Sequence, residues 1–357
     1  MLRRWARVIG INFGILIGGI VIAELIFGNW IFGPDLGYFL VPRNVEIRHD
    51  LSAIYPGGGI AVYTRDKYGL RGDYGGDPRN IDILVIGGST TNELYVSDAD
   101  SWVARLDRML AQGGYGLKAI NAGIDGHSTY GHLQAFDSWF PYIPGLKPKY
   151  VLYYIGINEP LVRAWAYELM IERSPSARLW RSVKNESAVY NLYRVVAGVL
   201  RAHHARIAHG HGNYSAALMT HQWDKDEDPA RQQRIAETQK ELLEAYETRL
   251  RQIEKRTREW GATPIFVTQV RGDSRWHGKR LIGADEGAID QALVQRLFNG
   301  ITLRVCRERG DICIDLERAF RADDGDFYDH VHVVATGSHK VAAIIYDGLR
   351  SHLQPKK

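Results

Sequence analysis

Residues 81–96 read IDILVIGGSTTNELYV. Ile81 to Ile86 is a nearly unbroken apolar run, and a run without alternation marks a strand covered on both faces. It stops at Gly87-Gly88-Ser89-Thr90-Thr91. Three readings compete for that turn. A phosphate-cradling loop needs Gly-Lys-Ser/Thr, and the next lysine is Lys118, so that reading fails. The nucleophile elbow G-x-S-x-G matches at Gly87, Gly88 and Ser89 but has Thr91 where its last glycine belongs. In the third reading Ser89 merely caps a helix.

The pattern continues outward. Ala119–Ala122, 150–155, 264–270 and 312–316 read as further short apolar strands. Helical patterns fall at 102–111, 132–140, 231–260, 289–309 and 338–353. Alternation of this kind predicts an α/β fold, a three-layer doubly wound parallel sheet. Such sheets bind ligands at the carboxyl ends of their strands. Ser89, Gly123 and Asn158 follow three successive strands and so share one edge. The helix 231–260 has apolar residues at three- and four-residue steps, with Glu247/Arg251 and Glu254/Arg258 as surface pairs.

A chain of 357 residues with 45% apolar content can hold one large α/β domain or two small ones, and its formal charge of +4 is too small and dispersed for nucleic-acid binding. Arg3, Arg4 and Arg7 precede an apolar segment from Val8 to Gly28, about 20 residues and so long enough to cross a bilayer core of about 30 Å. A cleaved signal peptide is the rival, but VIAELIFGNW has no A-x-A-like site. Residues 1–30 are therefore read as a single-pass anchor in the inner (cytoplasmic) membrane. The arginines stay inside, which places the rest outside the cytoplasm. Glu24, near the outer end of the span, could reach headgroups or a partner helix, and simple snorkelling is the preferred reading. Cys306 and Cys313 can form a disulfide there, or remain two buried thiols.

Residues 31–78 read as a linker packed on the domain, and 79–357 as the domain itself. The stretch from about 160 to 230 interrupts the alternation and reads as a lid or partner surface. It holds Trp165, Trp180, Trp223, a helix-like AVYNLYRVVAGVL and His203, His204, His209 and His211. The histidines have no carboxylate or cysteine at ligand spacing and are read as an exposed loop, not a metal site.

Near the C-terminus stands FYDHVHVVATGSHKVAAII. Asp329 and His332, three apart, allow a carboxylate to hold an imidazole that takes a proton from a serine hydroxyl. A metal site of Asp329, His330 and His332 is the alternative; His330 reads as a surface residue. A tetrahedral intermediate also needs donors for its oxyanion. The Gly123 backbone in NAGIDGHST and the Asn158 carboxamide in YYIGINEP are placed to give them.

The ordered set Gly-Gly-Ser89-Thr, Asn121-Ala-Gly123, Gly156-Ile-Asn158-Glu and Asp329-His-Val-His332 resembles the SGNH hydrolases, also called the GDSL esterase/lipase superfamily, over about residues 80–350. The resemblance implies a flavodoxin-like fold with Ser89 as nucleophile, His332 as general base and Asp329 as its orienting partner. It also implies an oxyanion hole of the Ser89 N–H, the Gly123 N–H and the Asn158 side chain, with no metal or cofactor. Gly88 stands where the family usually has aspartate, and Glu159 where its third block usually continues with aspartate. DKYGLRGDY with Arg71 looks like the lead-in of membrane-anchored members; Arg71 has no assigned role beyond packing.

These readings converge on a membrane-anchored extracytoplasmic serine esterase. Its acyl-ester substrate is an O-acetylated glycan of an envelope polysaccharide assembly or a lipid such as a lysophospholipid, and its reaction is hydrolysis or transfer. The rival from another class is a catalytically silent carbohydrate-binding subunit.

Overall fold

Every residue of the strand Ile83–Gly87 is buried, which is possible only at the centre of a sheet with both faces covered. In the computed structural model that strand is β3. The structure describes residues 2–28, 30–31, 41–52, 54–55, 57–161, 175–190, 192–193 and 216–355. An antiparallel pair, β1 (Val45–Asp50) and β2 (Ile60–Arg65), precedes β3. Then come β4 (Ala119–Asn121), β5 (Tyr150–Tyr154), β6 (His221–Asp224), β7 (Thr263–Val267), β8 (Ser274–His277), β9 (Arg280–Gly283) and β10 (Ile312–Ile314). The central sheet is parallel throughout, in the order β10-β7-β5-β3-β4.

The helices are α1 (Leu2–Phe27), α2 (Ser89–Asn92), α3 (Trp102–Gln112), α4 (Thr129–Ser138), α5 (Pro175–Glu186), α6 (Pro229–Thr238), α7 (Lys240–Glu259), α8 (Glu286–Arg309), α9 (Leu316–Ala319) and α10 (Ala335–Arg350). On one face of the sheet Ile83, Val85, Leu152 and Ile265 pack with Leu106 and Leu110 of α3 and Val341 and Ile345 of α10. On the other, Tyr153 stacks on Phe266 and its hydroxyl meets Thr257 of α7, while Tyr246 of α7 packs against Phe298 of α8. The expected α/β sheet with helices on both faces is therefore present.

Several elements differ from the sequence reading: the strands expected over 264–270 and 312–316 end at Val267 and Ile314, Leu316–Ala319 is helical, and the stretch 31–78 holds the β1–β2 pair. The helix expected over 231–260 is two, because Gln239 leaves helical geometry at φ −95° and ψ 2° and separates α6 from α7. Both expected pairs on α7 form, at 2.7 Å for Arg251–Glu247 and 2.5 Å for Arg258–Glu254, but the second is not a surface pair because the Glu254 side chain is buried. A small antiparallel sheet, β6-β9-β8, was not expected at all. Its strands have four residues each, too short for a legible alternation.

The chain forms two compact units. The first, Met1–Tyr38 with Ile171–Ala208, contains α1, an apolar helix that is a candidate membrane span from Arg3 to Phe27. Its apolar side chains, Ile9, Ile15 and Ile22 among them, are exposed, as lipid contact requires. Glu24, expected to snorkel, instead accepts hydrogen bonds from Trp30 Nε1 (2.7 Å), Ser187 Oγ (2.5 Å) and the backbone N–H groups of Ala188 (3.0 Å) and Val189 (3.2 Å). A carboxylate answered by four donors is better stabilised there than one left to reach for water. Trp180 is exposed on α5. His203, His204, His209, His211, Trp165 and most of AVYNLYRVVAGVL lie outside the described residues.

The second unit contains the central sheet. Here Cys306 near the end of α8 and Cys313 in β10 form a disulfide, which settles the choice between bridge and free thiols. The bridge closes a loop of 7-residue separation, and its loop-closure entropy corresponds to about 2.5 kcal/mol. Replacing both cysteines by serine is expected to lower unfolding free energy by about that amount. The urea midpoint, read at unchanged slope, measures it.

Candidate active site

Two glycines end β3 because there is no room for anything larger. A Cβ on Gly87 would lie 2.0 Å from Thr91 Oγ1 and 2.7 Å from the Tyr154 carbonyl. One on Gly88 would lie 2.5 Å from Asn158 Nδ2 and 3.2 Å from the His127 carbonyl. Neither glycine has positive φ, so close approach and not conformational freedom selects them. The usual family aspartate at position 88 has no space beside Asn158. Ser89 then opens α2, which ends at Glu93 in the left-handed region, φ 51° and ψ 55°.

The last loop before α10 meets Ser89 across 243 residues of sequence. His332 Nε2 lies 2.7 Å from Ser89 Oγ, and His332 Nδ1 lies 2.6 Å from Asp329 Oδ2. The other carboxylate oxygen, Asp329 Oδ1, accepts the backbone N–H groups of Val331 (2.8 Å) and His332 (2.7 Å). Burial raises the Asp329 carboxyl, but the hydrogen bond and attraction of His332 and the two backbone donors outweigh it and hold it below the ordinary aspartate range. Tyr328 stacks on the imidazole at 5.5 Å between centroids and 10° between planes, and the Tyr328 N–H donates to the His332 carbonyl at 3.0 Å. His330 is exposed, with its carbonyl accepting the Gly272 N–H.

Gly123 and Asn158 arrive at the same place. Gly123 packs so closely on α2 that a Cβ would lie 2.7 Å from Asn92 N. Its N–H donates to Asn121 Oδ1 at 2.8 Å, and the Asn158 carboxamide donates to the His127 carbonyl at 2.9 Å. A carboxamide nitrogen has two hydrogens, so Asn158 keeps one donor beyond that bond. Glu159 is buried; its Oε1 accepts the Thr129 N–H (2.6 Å) that opens α4, and its Oε2 pairs with Arg249 at 2.9 Å. Burial pushes the Glu159 carboxyl up, while Arg249 and Thr129 favour its charged form. This side chain therefore anchors the loop that presents Asn158.

Four positions absent from the sequence reading hold the turn in place. Buried Arg65 donates to Asn92 Oδ1 (2.6 Å), to the Gly123 carbonyl and to Tyr63. The signal was present in IAVYTR, whose two-residue alternation buries Ala61, Tyr63 and Arg65 on one face. Asn92 also donates to Asp125 Oδ1 at 2.7 Å. Glu93 accepts the Trp102 N–H at 2.7 Å and the Ser338 hydroxyl, joining α2 to α3 and α10. Burial pushes its carboxyl up to about 7 against those donors and against Arg71 and Arg105. Tyr328 is the fourth; His332 is four residues away, but its other partners, Tyr55 and Tyr95, lie more than 200 residues earlier, and no periodicity marks them.

Arg71, a packing residue by sequence, is fully engaged. Its backbone pairs with Asn121 at 2.9 and 3.0 Å. Its guanidinium bonds Asp98 (2.5 Å) and the carbonyls of Asn92, Glu93 (3.1 Å) and Val96 (2.5 Å). It thus ties the segment after Ser89 to the strand before Gly123.

An acidic residue, an imidazole and a hydroxyl joined by two short hydrogen bonds can move a proton from the hydroxyl and so make it a nucleophile. Comparison with known proteins bears on what such a site serves. Among curated proteins no match was found. Solved structures similar to this chain include a catalytic mutant of an acetylxylan esterase from Geobacillus stearothermophilus, 15% identical, with 75% of this chain and 93% of that chain covered and a TM-score of 0.42. A lipase/acylhydrolase from Enterococcus faecalis is 16% identical, with 78% and 100% covered and a TM-score of 0.43. The family model of the GDSL-like lipase/acylhydrolases matches residues 85–340, well over half the chain. The chain belongs to the GDSL-like lipase/acylhydrolase family, a family of ester-bond hydrolases.

Proposed function

We propose that the protein is a membrane-anchored serine esterase that removes or transfers O-acyl groups, O-acetyl groups above all, on glycans outside the cytoplasm. The observation that carries this reading is the relay Asp329–His332–Ser89 at 2.6 and 2.7 Å. His332 Nε2 takes the proton of Ser89 as its oxygen attacks the acyl carbonyl. The Ser89 N–H, the Gly123 N–H and the remaining Asn158 donor receive the negative oxygen, the Gly123 N–H turning from or sharing its bond to Asn121. The intermediate then collapses, breaking the bond to the sugar oxygen as His332 gives that oxygen its proton, and leaves an acyl-Ser89 ester. Water, or a second hydroxyl in the case of transfer, attacks that ester with His332 again as base.

The Cys306–Cys313 bridge supports an oxidising compartment, and the apolar helix ahead of the domain supports an inner-membrane anchor. Tyr328 is buried and stacked on both Tyr55 and His332, so it braces the imidazole, and the extracytoplasmic placement is what favours a glycan ester.

Fluorophosphonate labelling tests the assignment. Wild-type protein is expected to take up the probe, and Ser89→Ala to take up none at an unchanged melting temperature; labelling retained in that variant sinks the proposal. Gly88→Asp, which installs the usual family residue, is expected to displace Asn158 and lower kcat on p-nitrophenyl acetate by about 10²- to 10³-fold, the cost of one oxyanion donor. An active Gly88→Asp enzyme would show that Asn158 does not act from the position described.

A further inference from the structure

A cleft of about 1290 Å³ opens among α6, α7, α8 and the loops that follow β7 and β10, and nothing above uses it. Its volume exceeds the roughly 300–1,000 Å³ of small-molecule sites and suits a chain of several residues. Eight Arg and Lys residues line it against four Asp and Glu. The lining thus carries a formal surplus of four positive charges. Seven of the eight are arginines, whose planar forks match carboxylates bidentately.

Some of these cations are already satisfied: Arg271 by Asp273 at 2.5 Å, and Arg304 by Glu247. Others are not. Among the described residues Arg296, Arg318 and Arg321 have no carboxylate within salt-bridge distance. Yet two of them are held. The Arg296 guanidinium lies over the Trp276 ring at 3.9 Å, a stacking that fixes its plane near Glu317, whose charged form it favours. Arg321 is braced by the Arg318 carbonyl at 2.7 Å. Cations held in place with less opposing charge around them than they carry are what an anionic ligand completes.

The floor of the cleft touches the catalytic segments. Gln269 lines it, donates to the Tyr154 carbonyl at 2.8 Å and has Oε1 3.2 Å from the hydroxyl of Thr90, the residue after Ser89. Arg271 also lines it, and the next residue, Gly272, donates to the His330 carbonyl at 2.9 Å. We infer that this cleft binds a uronate-bearing glycan through its carboxylates, holding the chain while an O-acyl group on it reaches Ser89. The inference rests on the esterase reading and narrows its substrate to acidic polysaccharides.

The test uses the full-length chain in detergent with Ser89→Ala, titrated calorimetrically with an oligogalacturonate and with a neutral xylo-oligosaccharide of equal length. The acidic chain is expected to bind at least tenfold more tightly, and to lose that preference as salt is raised. Arg296→Gln combined with Arg318→Gln is expected to weaken acidic binding at least tenfold with the circular dichroism spectrum unchanged. The single exposed change Arg318→Gln, several-fold weaker, stands in if the double variant misfolds. Equal binding of the two chains, variants that bind as tightly as the parent, or a phosphodiester-linked glycan that outcompetes the uronate would each overturn the inference. If p-nitrophenyl acetate turnover by wild type fails while acidic binding holds, the esterase reading falls and the cleft stands.

Discussion

Replacing His332 with alanine is expected to lower kcat for ester turnover by about 10⁴- to 10⁶-fold, the scale on which serine enzymes lose rate when the base is removed. Without the imidazole at 2.7 Å, Ser89 must attack as a neutral hydroxyl, a poor nucleophile at its own pKa. Asp329 remains held by two backbone N–H groups, so the loop keeps its shape. The His332 side chain is only partly buried, and melting should shift by a few degrees at most. Steady-state kinetics on p-nitrophenyl acetate beside a thermal melt check this. A variant that keeps more than about a hundredth of the rate removes His332 from the role of base.

The second large effect is on stability. Arg71→Met takes a cation from a site where its side chain is 1% exposed and leaves Asp98 and three backbone carbonyls short of a donor. Thr64 still answers Asp98 through its hydroxyl at 2.6 Å and its N–H at 3.2 Å, so the carboxylate is not wholly stranded. Removing one partner of a buried pair costs about 3–5 kcal/mol. A urea midpoint lowered by that amount at constant slope is the expected outcome, and a loss under about 1 kcal/mol would show that the guanidinium merely fills space. Because Arg71 secures the residues after Ser89, the surviving folded fraction should also turn over more slowly.

How legible this molecule is in its sequence depends on how far each contact reaches along the chain. The parallel strands were readable because Ile83–Ile86, Tyr150–Tyr154 and Thr263–Val267 are apolar on both faces, a property of each segment by itself. The four blocks containing Ser89, Gly123, Asn158 and His332 were readable because each is a contiguous motif and the four stand in a familiar order, and the structure sets Ser89 against His332 and Gly88 against Asn158. What escaped was non-local. Arg65 reaches Gly123 across 58 residues, and Arg249 reaches Glu159 across 90, with no spacing rule to announce either. The division of α6 from α7 falls at a glutamine, without the glycine or proline that usually signals an interruption. Glu24 shows the same limit: composition placed it at the end of an apolar helix, but its partners at Ser187, Ala188 and Val189 are 163 to 165 residues away.

The joint at Glu93 makes folding a proton-binding event. Its carboxyl titrates near 7 in the native protein and near the ordinary value of about 4.5 in the open chain, so between those values the chain takes up a proton as it folds. The stabilisation is complete below about 4.5 and drains away as pH climbs through 7. Mildly acid surroundings would therefore tighten the seam between the serine turn and the closing helix, and alkaline ones would slacken it.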